Sequence, residues 1–351
     1  MYPLNQGFNT SEDYCPVDYT GCDPPLKWYP VAITVNDLIS VILSGLAVAS
    51  ILRFKALRQA KEYTLILFLG MADLINGIAG ALGHSWRGIL TGQGRICRCA
   101  LTIYCMMFPH NQLWRWCDFA QSGMLLAISC DRLYAIFRPA AYFQHTRKSV
   151  LKIGIFVYCY GAVNLGLGWV YPILHRSIPV ALLCTPGQFI GNWYYQYCKY
   201  VSSLQSFLSV LVYAVVWIKF KKTTTVVAGD QESAQRQKRR ERKLTVTLGI
   251  SSLCTFFLDV IPRMLGMYWQ FHPTNIRFAS LSPGDVLFQL DKWNANANFI
   301  IYMMRHSEMR KALRALVTGA KMPPKLEMWE TLAAKEKNSK TTSSVATKQT
   351  T

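Results

Sequence analysis

Ionisable side chains set inside long apolar runs are where chemistry would reside in this chain. Asp73, Asp118, the adjacent Asp131 and Arg132, Asp259, Arg263 and Lys292 all interrupt such runs. A charge among apolar residues is costly and by default marks a site, since it must be paired, protonated or solvated by water or an ion. Asp259 and Arg263 stand one helical turn apart and can pair with each other. Lys292 has Asp118, Asp259 and neighbouring Asp291 as candidate partners, and a buried amine can also form an imine with a carbonyl compound. Asp73 is a lone carboxylate, while Asn294 and Asn298 share a helix face by their i, i+4 spacing. No nucleotide loop, zinc spacing or nucleophile triad accompanies these groups, so no enzyme is expected.

The elements that hold these residues follow from composition. Of 351 residues, 51% are hydrophobic and the formal charge is +19. The cations fall between apolar blocks and in the tail rather than on a soluble face, so they orient membrane helices and do not grip nucleic acid. Seven blocks approach or exceed the roughly 20 residues that span a bilayer. They run Tyr29 to Leu52, Tyr63 to His84, Pro109 to Phe137, Val150 to Leu174, Tyr197 to Lys219, Leu244 to Gln270 and Gly284 to Met304. The expected fold is all-α: an integral membrane seven-transmembrane-helix bundle with a short amphipathic eighth helix. No repeat or broken helix points to a transporter, which stays as an alternative.

Lys and Arg concentrate in the first, third and fifth connections, densest at Arg236, Lys238, Arg239, Arg240, Arg242 and Lys243. That places the N-terminus outside the cell and the C-terminus in the cytoplasm of a multi-pass plasma-membrane protein. The organisation is then an extracellular tail over residues 1–27, a bundle over 28–304, an interfacial helix over 305–318 and a disordered cytoplasmic tail over 319–351. The eighth helix presents Met309, Leu313, Leu316 and Val317 on one face and cations on the other. The first tail lacks a basic segment followed by an apolar core, so no cleaved signal peptide is expected. Asn9 heads a glycosylation sequon. Cys117, Cys130, Cys159 and Cys254 lie in apolar blocks as buried small hydrophobes. Seven cysteines lie in or beside the external segments, where disulfides persist.

The run Asp131-Arg132-Leu133-Tyr134-Ala135-Ile136-Phe137-Arg138-Pro139-Ala140-Ala141-Tyr142 resembles the end of the third helix in rhodopsin-like (class A) G-protein-coupled receptors. The pattern there is Asp-Arg-Tyr-x-Ala-Ile-x-x-Pro-Leu-x-Tyr, with Leu133 and Ala140 as departures. Leu69-Gly70-Met71-Ala72-Asp73 is similar to Leu-x-x-Ala-Asp of the second helix, and Asn298-Phe299-Ile300-Ile301-Tyr302 to Asn-Pro-x-x-Tyr of the seventh. Phe256-x-x-x-Asp259-Val260-Ile261-Pro262 resembles the sixth helix, with Val260 where tryptophan is usual. The departures look most like divergent invertebrate chemoreceptor or orphan members.

The resemblance implies a receptor that binds an extracellular small-molecule or peptide ligand and activates a heterotrimeric G protein. It implies that Asp131 holds Arg132 at rest, that Tyr213 and Tyr302 turn to Arg132 on activation, and that Pro262 is a hinge. It implies a sodium site at Asp73 with Asn294 and Asn298, and Gln121 stands where serine is common. A structural cluster with water is the alternative there. Trp114, Asp118, Gln121, Asp259, Arg263 and Lys292 are the candidate pocket lining. Lys292 also occupies the retinal-lysine spacing of opsins, so an opsin-like photoreceptor is a second alternative. A Cys105–Cys184 disulfide is implied, with Cys97, Cys99 and Cys198 as rivals. Thr341, Thr342, Ser343 and Ser344 offer phosphorylation sites to arrestin, and the basic loops offer charge to anionic lipid.

Overall fold

The computed structural model describes residues 28–95, 98–138, 141–142, 146–224, 246, 249–250, 252–271 and 283–320. A backbone shielded from water must satisfy its own N–H and C=O groups, which a helix does within one segment. The apolar runs accordingly form α1 (Trp28–Arg53), α2 (Lys55–Gln59), α3 (Lys61–Gly92), α4 (Thr102–Met107), α5 (Pro109–Phe137) and α6 (Arg147–Gly168). These are followed by α7 (Val170–Leu174), α8 (Pro186–Phe189), α9 (Asn192–Thr224), α10 (Ile261–Phe271), α11 (Pro283–Arg305) and α12 (Ser307–Thr318).

The expected third run coincides with α5, whose start is set by Pro109 in the first turn, where the missing N–H is unneeded. Elsewhere the helices outrun the apolar blocks. α3 continues past His84 to Gly92, and α9 begins at Asn192 rather than Tyr197. The fourth block is interrupted at Trp169, which separates α6 from α7. Just before α10, Phe256–Val260 forms a π-helical turn. The ring of Pro262 would collide with the carbonyl four residues earlier, inside that turn, and the wider turn relieves the conflict.

One feature departs from an all-α fold. β1 (Cys99–Leu101) and β2 (Pro179–Ala181) pair antiparallel, with Ala100 opposite Val180. Two connections at one end of the bundle thus share their backbone hydrogen bonds with each other.

Helix α3 lies between α1 and α5, α9 packs along α5, and α11 packs along α1 and α10. Two buried cores result. At the Arg132 end, Leu57, Leu69, Met124, Ile128, Tyr213 and Tyr302 pack with Met309 of α12. At the other end, Phe119, Val180, Phe189, Ile190 and Tyr194 surround Cys105 and Cys184. Burial on α12 falls on Met309, Ala312 and Ala315, while Val317 is 70% exposed. The seam is therefore rotated from the expected one, because small alanines let α12 approach closely.

The surface is inverted relative to a soluble protein. Phe156, Val163, Leu204 and Phe257 face outward while Asp37, Ser40, Asp73 and Asn296 are buried. Large exposed apolar areas of this kind suit lipid. Cys130 and Cys159 also face outward, against the expectation of burial, whereas Cys117 is buried. Among the described residues, four helical segments are long and apolar enough to cross a membrane: Tyr29–Arg53, Tyr63–Gly92, Arg147–Leu174 and Asn192–Lys219. α5 and α11 have the length but carry the charges and amides discussed next.

Candidate functional site

At the Arg132 end, Arg132 is paired with Asp131 through both Nε and Nη2, the Nε bond being 3.0 Å. Tyr142 closes the pair. Arg132 Nη2 donates to its hydroxyl at 2.7 Å, and the hydroxyl donates to Asp131 Oδ2 at 3.1 Å. Tyr142 is held in turn by Lys61, whose Nζ donates to the Tyr142 carbonyl at 3.0 Å and lies 3.6 Å from its ring centroid. Arg132 is only 7% exposed. Tyr213 from α9 and Tyr302 from α11 are buried together beneath it, with Tyr213 in electrostatic reach of both Arg132 and Tyr302. Tyr142 belongs to the pattern read from the sequence, but its contact with the pair had no signal there. Pro139 lies outside the described residues.

Midway along the bundle a cavity of about 30 Å³ is walled by Asp73, Asn294, Asn298, Asp259, Arg263 and Lys292, among others. Trp114 and Asp118 are not among its walls. A chain of amides crosses it. Gln121 donates to Asp73 Oδ1 at 2.7 Å, Asn76 donates to Gln121 at 3.2 Å, and Lys292 Nζ donates to Asn76 at 3.2 Å. Asp259 pairs with Arg263 as their spacing foretold, and Arg263 Nη1 reaches Ser202 Oγ at 3.2 Å. Asp118 lies 3.0 Å from Arg115. Lys292 stands 5.5 Å from the Trp114 ring centroid. The side chain of Asp291 lies outside the described residues.

The cavity decides what can sit there. A water needs about 10–15 Å³ of such space, so two or three waters, or one small cation with water, fill it. Asn294 Oδ1 is buried with no hydrogen-bond partner, and with Asp73 it supplies oxygens of the kind a hard cation takes. These residues fit sodium, although the Gln121 amide already engages one Asp73 oxygen. Among the described residues no cluster of three or more His, Cys, Asp or Glu could hold a metal. Drug-sized ligands occupy about 300–1,000 Å³, so this cavity by itself is of the size of a few waters or an ion.

A second buried charge site joins α1 to α3 and was missed from the sequence. Asp37, 1% exposed, lies 2.6 Å from His84 Nδ1. On the next turn Ser40 Oγ donates to Asn296 Oδ1 at 2.8 Å, and Asn296 Nδ2 donates to Asn36 Oδ1 at 3.0 Å. Close approach makes this possible. A Cβ on Gly80 would lie 2.4 Å from the Asp37 carboxyl, and one on Gly83 would lie 2.6 Å from Trp114. The signal was present, since Asp37 interrupts the first apolar run as Asp73 interrupts the second. Its partner, 47 positions away, was not readable.

At the far end Cys105 and Cys184 form a disulfide across 79 residues. Of the rivals, Cys198 is a buried free thiol and Cys99 is disulfide-bonded elsewhere. Cys97 lies outside the described residues, as do Asn9, the cation run 236–243 and Thr341 to Ser344.

Curated proteins offer no match to this chain. The family model of the serpentine-type 7TM GPCR chemoreceptor Srsx matches residues 37–317, and the chain belongs to that family.

Proposed function

We propose that the chain is a plasma-membrane receptor whose seven helices bind an extracellular diffusible ligand and activate a heterotrimeric G protein. The bundle spans residues 28–304 with the N-terminus outside, α12 lies in the inner interface, and 319–351 forms a cytoplasmic tail open to arrestin. Lipid covers the outward apolar faces. No catalytic role is proposed.

The Asp131–Arg132–Tyr142 arrangement is the observation that carries this reading. It stores a guanidinium at the mouth of the bundle, bonded to groups that can release it. Ligand binding shifts the population toward a state in which the sixth helix swings at the π turn and Pro262. Arg132 then leaves Asp131, turns toward Tyr213 and Tyr302, and meets the G protein together with the basic third loop.

Asp73, Asn294 and Asn298 would hold a sodium ion between α3 and α11. Bound there, the ion would neutralise the Asp73 carboxylate, and Asp73 from α3 with Asn294 and Asn298 from α11 would brace the two helices in the resting state. Gln121 and Asn76 carry that brace on to Lys292 by hydrogen bonds alone.

Reconstitution in lipid nanodiscs with added G protein tests the proposal. Asp131→Asn should raise ligand-independent nucleotide exchange above wild type. If neither wild type nor this variant stimulates exchange on any G-protein class, while both remain folded, the receptor reading fails.

A further inference from the structure

The disulfide end of the bundle holds four N–H donors that no acceptor meets. Trp86 Nε1, Arg87 Nε, Trp114 Nε1 and Arg115 Nη1 are each buried without a hydrogen-bond partner. Trp114 and Arg115 are 8% and 6% exposed. Arg115 Nη2 lies 3.0 Å from Asp118 Oδ2 and the same side chain hydrogen-bonds Cys198, while its Nη1 meets no acceptor among the described residues. Among the described residues Arg87 makes no ion pair and its guanidinium no hydrogen bond.

The Arg87 guanidinium carbon lies 5.4 Å from the Trp114 ring centroid. It is in electrostatic reach of Arg115 and of the phenols of Tyr29 and Tyr195. Two guanidiniums in electrostatic reach of each other repel, and buried donors without acceptors are costly. A bound oxyanion answers both at once. Beside them runs an aromatic wall in which Trp86 meets Phe108 at 5.3 Å, Phe108 stacks on His110 at 5.5 Å, and His110 meets Trp114 at 5.7 Å. Exposed Arg95, Arg98 and Arg176 stand on the connections at the same end, where they would raise the local concentration of anions.

We infer that this end binds a small organic acid, with its carboxylate between Arg87 and Arg115 and its apolar or aromatic body along Trp86, Phe108, His110 and Trp114. The planar fork of arginine matches a carboxylate with two parallel N–H donors, which an alcohol or an amine cannot use. The unpartnered acceptors of this end, Asn111 Oδ1, Gln188 Oε1 and Gln196 Oε1, are neutral amides suited to a hydroxyl or amide on the same molecule. That occupancy is read as a signal rests on the receptor proposal; the site itself does not.

The test uses the full-length chain in nanodiscs and three carboxylate probes: benzoate, hexanoate and 4-phenylbutyrate. Each is compared with its own alcohol and amine by thermal stabilisation. At least one carboxylate should stabilise the protein where its alcohol and amine do not. Arg87→Gln should weaken that half-saturation by about tenfold or more, and Arg87→Lys by less. Because among the described residues the Arg87 guanidinium donates to no acceptor and joins no ion pair, Arg87→Gln without probe should unfold within a few degrees of wild type, losing only the cation–π contact with Trp114. Equal stabilisation by acids and alcohols, no stabilisation by any acid, or unchanged binding in Arg87→Gln overturns the inference. Nucleotide exchange on added G protein is read in parallel. Acid binding without exchange would uphold the site and count against the receptor, whereas exchange driven by amines alone would uphold the receptor and overturn the acid site.

Discussion

At the Arg132 end the charged pair comes from neighbours in sequence, and its third member, Tyr142, reaches it from the following connection. Across α1, α3 and α11 the charged and amide groups come from positions scattered along the whole chain: Asp37 with His84, Ser40 with Asn296, Lys292 with Asn76. The first arrangement can open without moving a helix axis. The second cannot, because each bond joins two helices and the Gly80 contact leaves no slack. A receptor needs both: a rigid frame to carry strain and a latch at its edge that yields first.

That contrast can be broken where the frame is tightest. Asp37→Ala leaves His84 without its carboxylate, and losing a buried hydrogen bond to a charged group costs about 1.5–3 kcal/mol before the cavity it leaves is counted. The variant should lose most of its thermal stability in detergent, with a shift far larger than that of Asp131→Ala. Equal shifts would mean that the frame and the latch do not differ. Next in size, Gly80→Ala should destabilise by about 1–3 kcal/mol through overpacking against Asp37. Gly166→Ala, with nothing within 4 Å, should instead gain up to about 1 kcal/mol from helix propensity. Unfolding curves of the two variants give the comparison directly.

If the proposed receptor mechanism holds, the latch should respond in signalling rather than in folding. Asp131→Asn removes the charge that holds Arg132; a bias of about 1 kcal/mol is roughly a fivefold change in population. Basal nucleotide exchange should rise by about that factor with little loss of stability. Tyr142→Phe deletes one hydroxyl worth about 0.5–1.5 kcal/mol and should raise basal exchange by less than Asp131→Asn. A larger rise in Tyr142→Phe would make the tyrosine, not the aspartate, the group that holds Arg132.

Much of the bundle was readable. α5 matches its apolar run because Pro109 sets its start and the run is continuous to Phe137. The Asp259–Arg263 pair followed from helical spacing alone. The disulfide was read from resemblance, and the structure joins Cys105 to Cys184. Other features had no local signature. The ends of α3 and α9 extend into polar sequence because neighbouring helices support them. Cys130 and Cys159 turned out exposed because hydropathy does not say which side of a helix meets lipid.

Apolar length, the charges that interrupt it and the loop cations are properties of the chain taken one segment at a time. From them alone came the helices, the membrane and the list of residues that cannot sit idle in an apolar medium. Which of those residues meet was decided by packing. Asp37 found His84 because Gly80 lets α1 touch α3, and Lys292 found Asn76 because α11 sets it there. A buried charge declares itself in sequence by its cost, whereas its partner is chosen by helices that approach only in three dimensions.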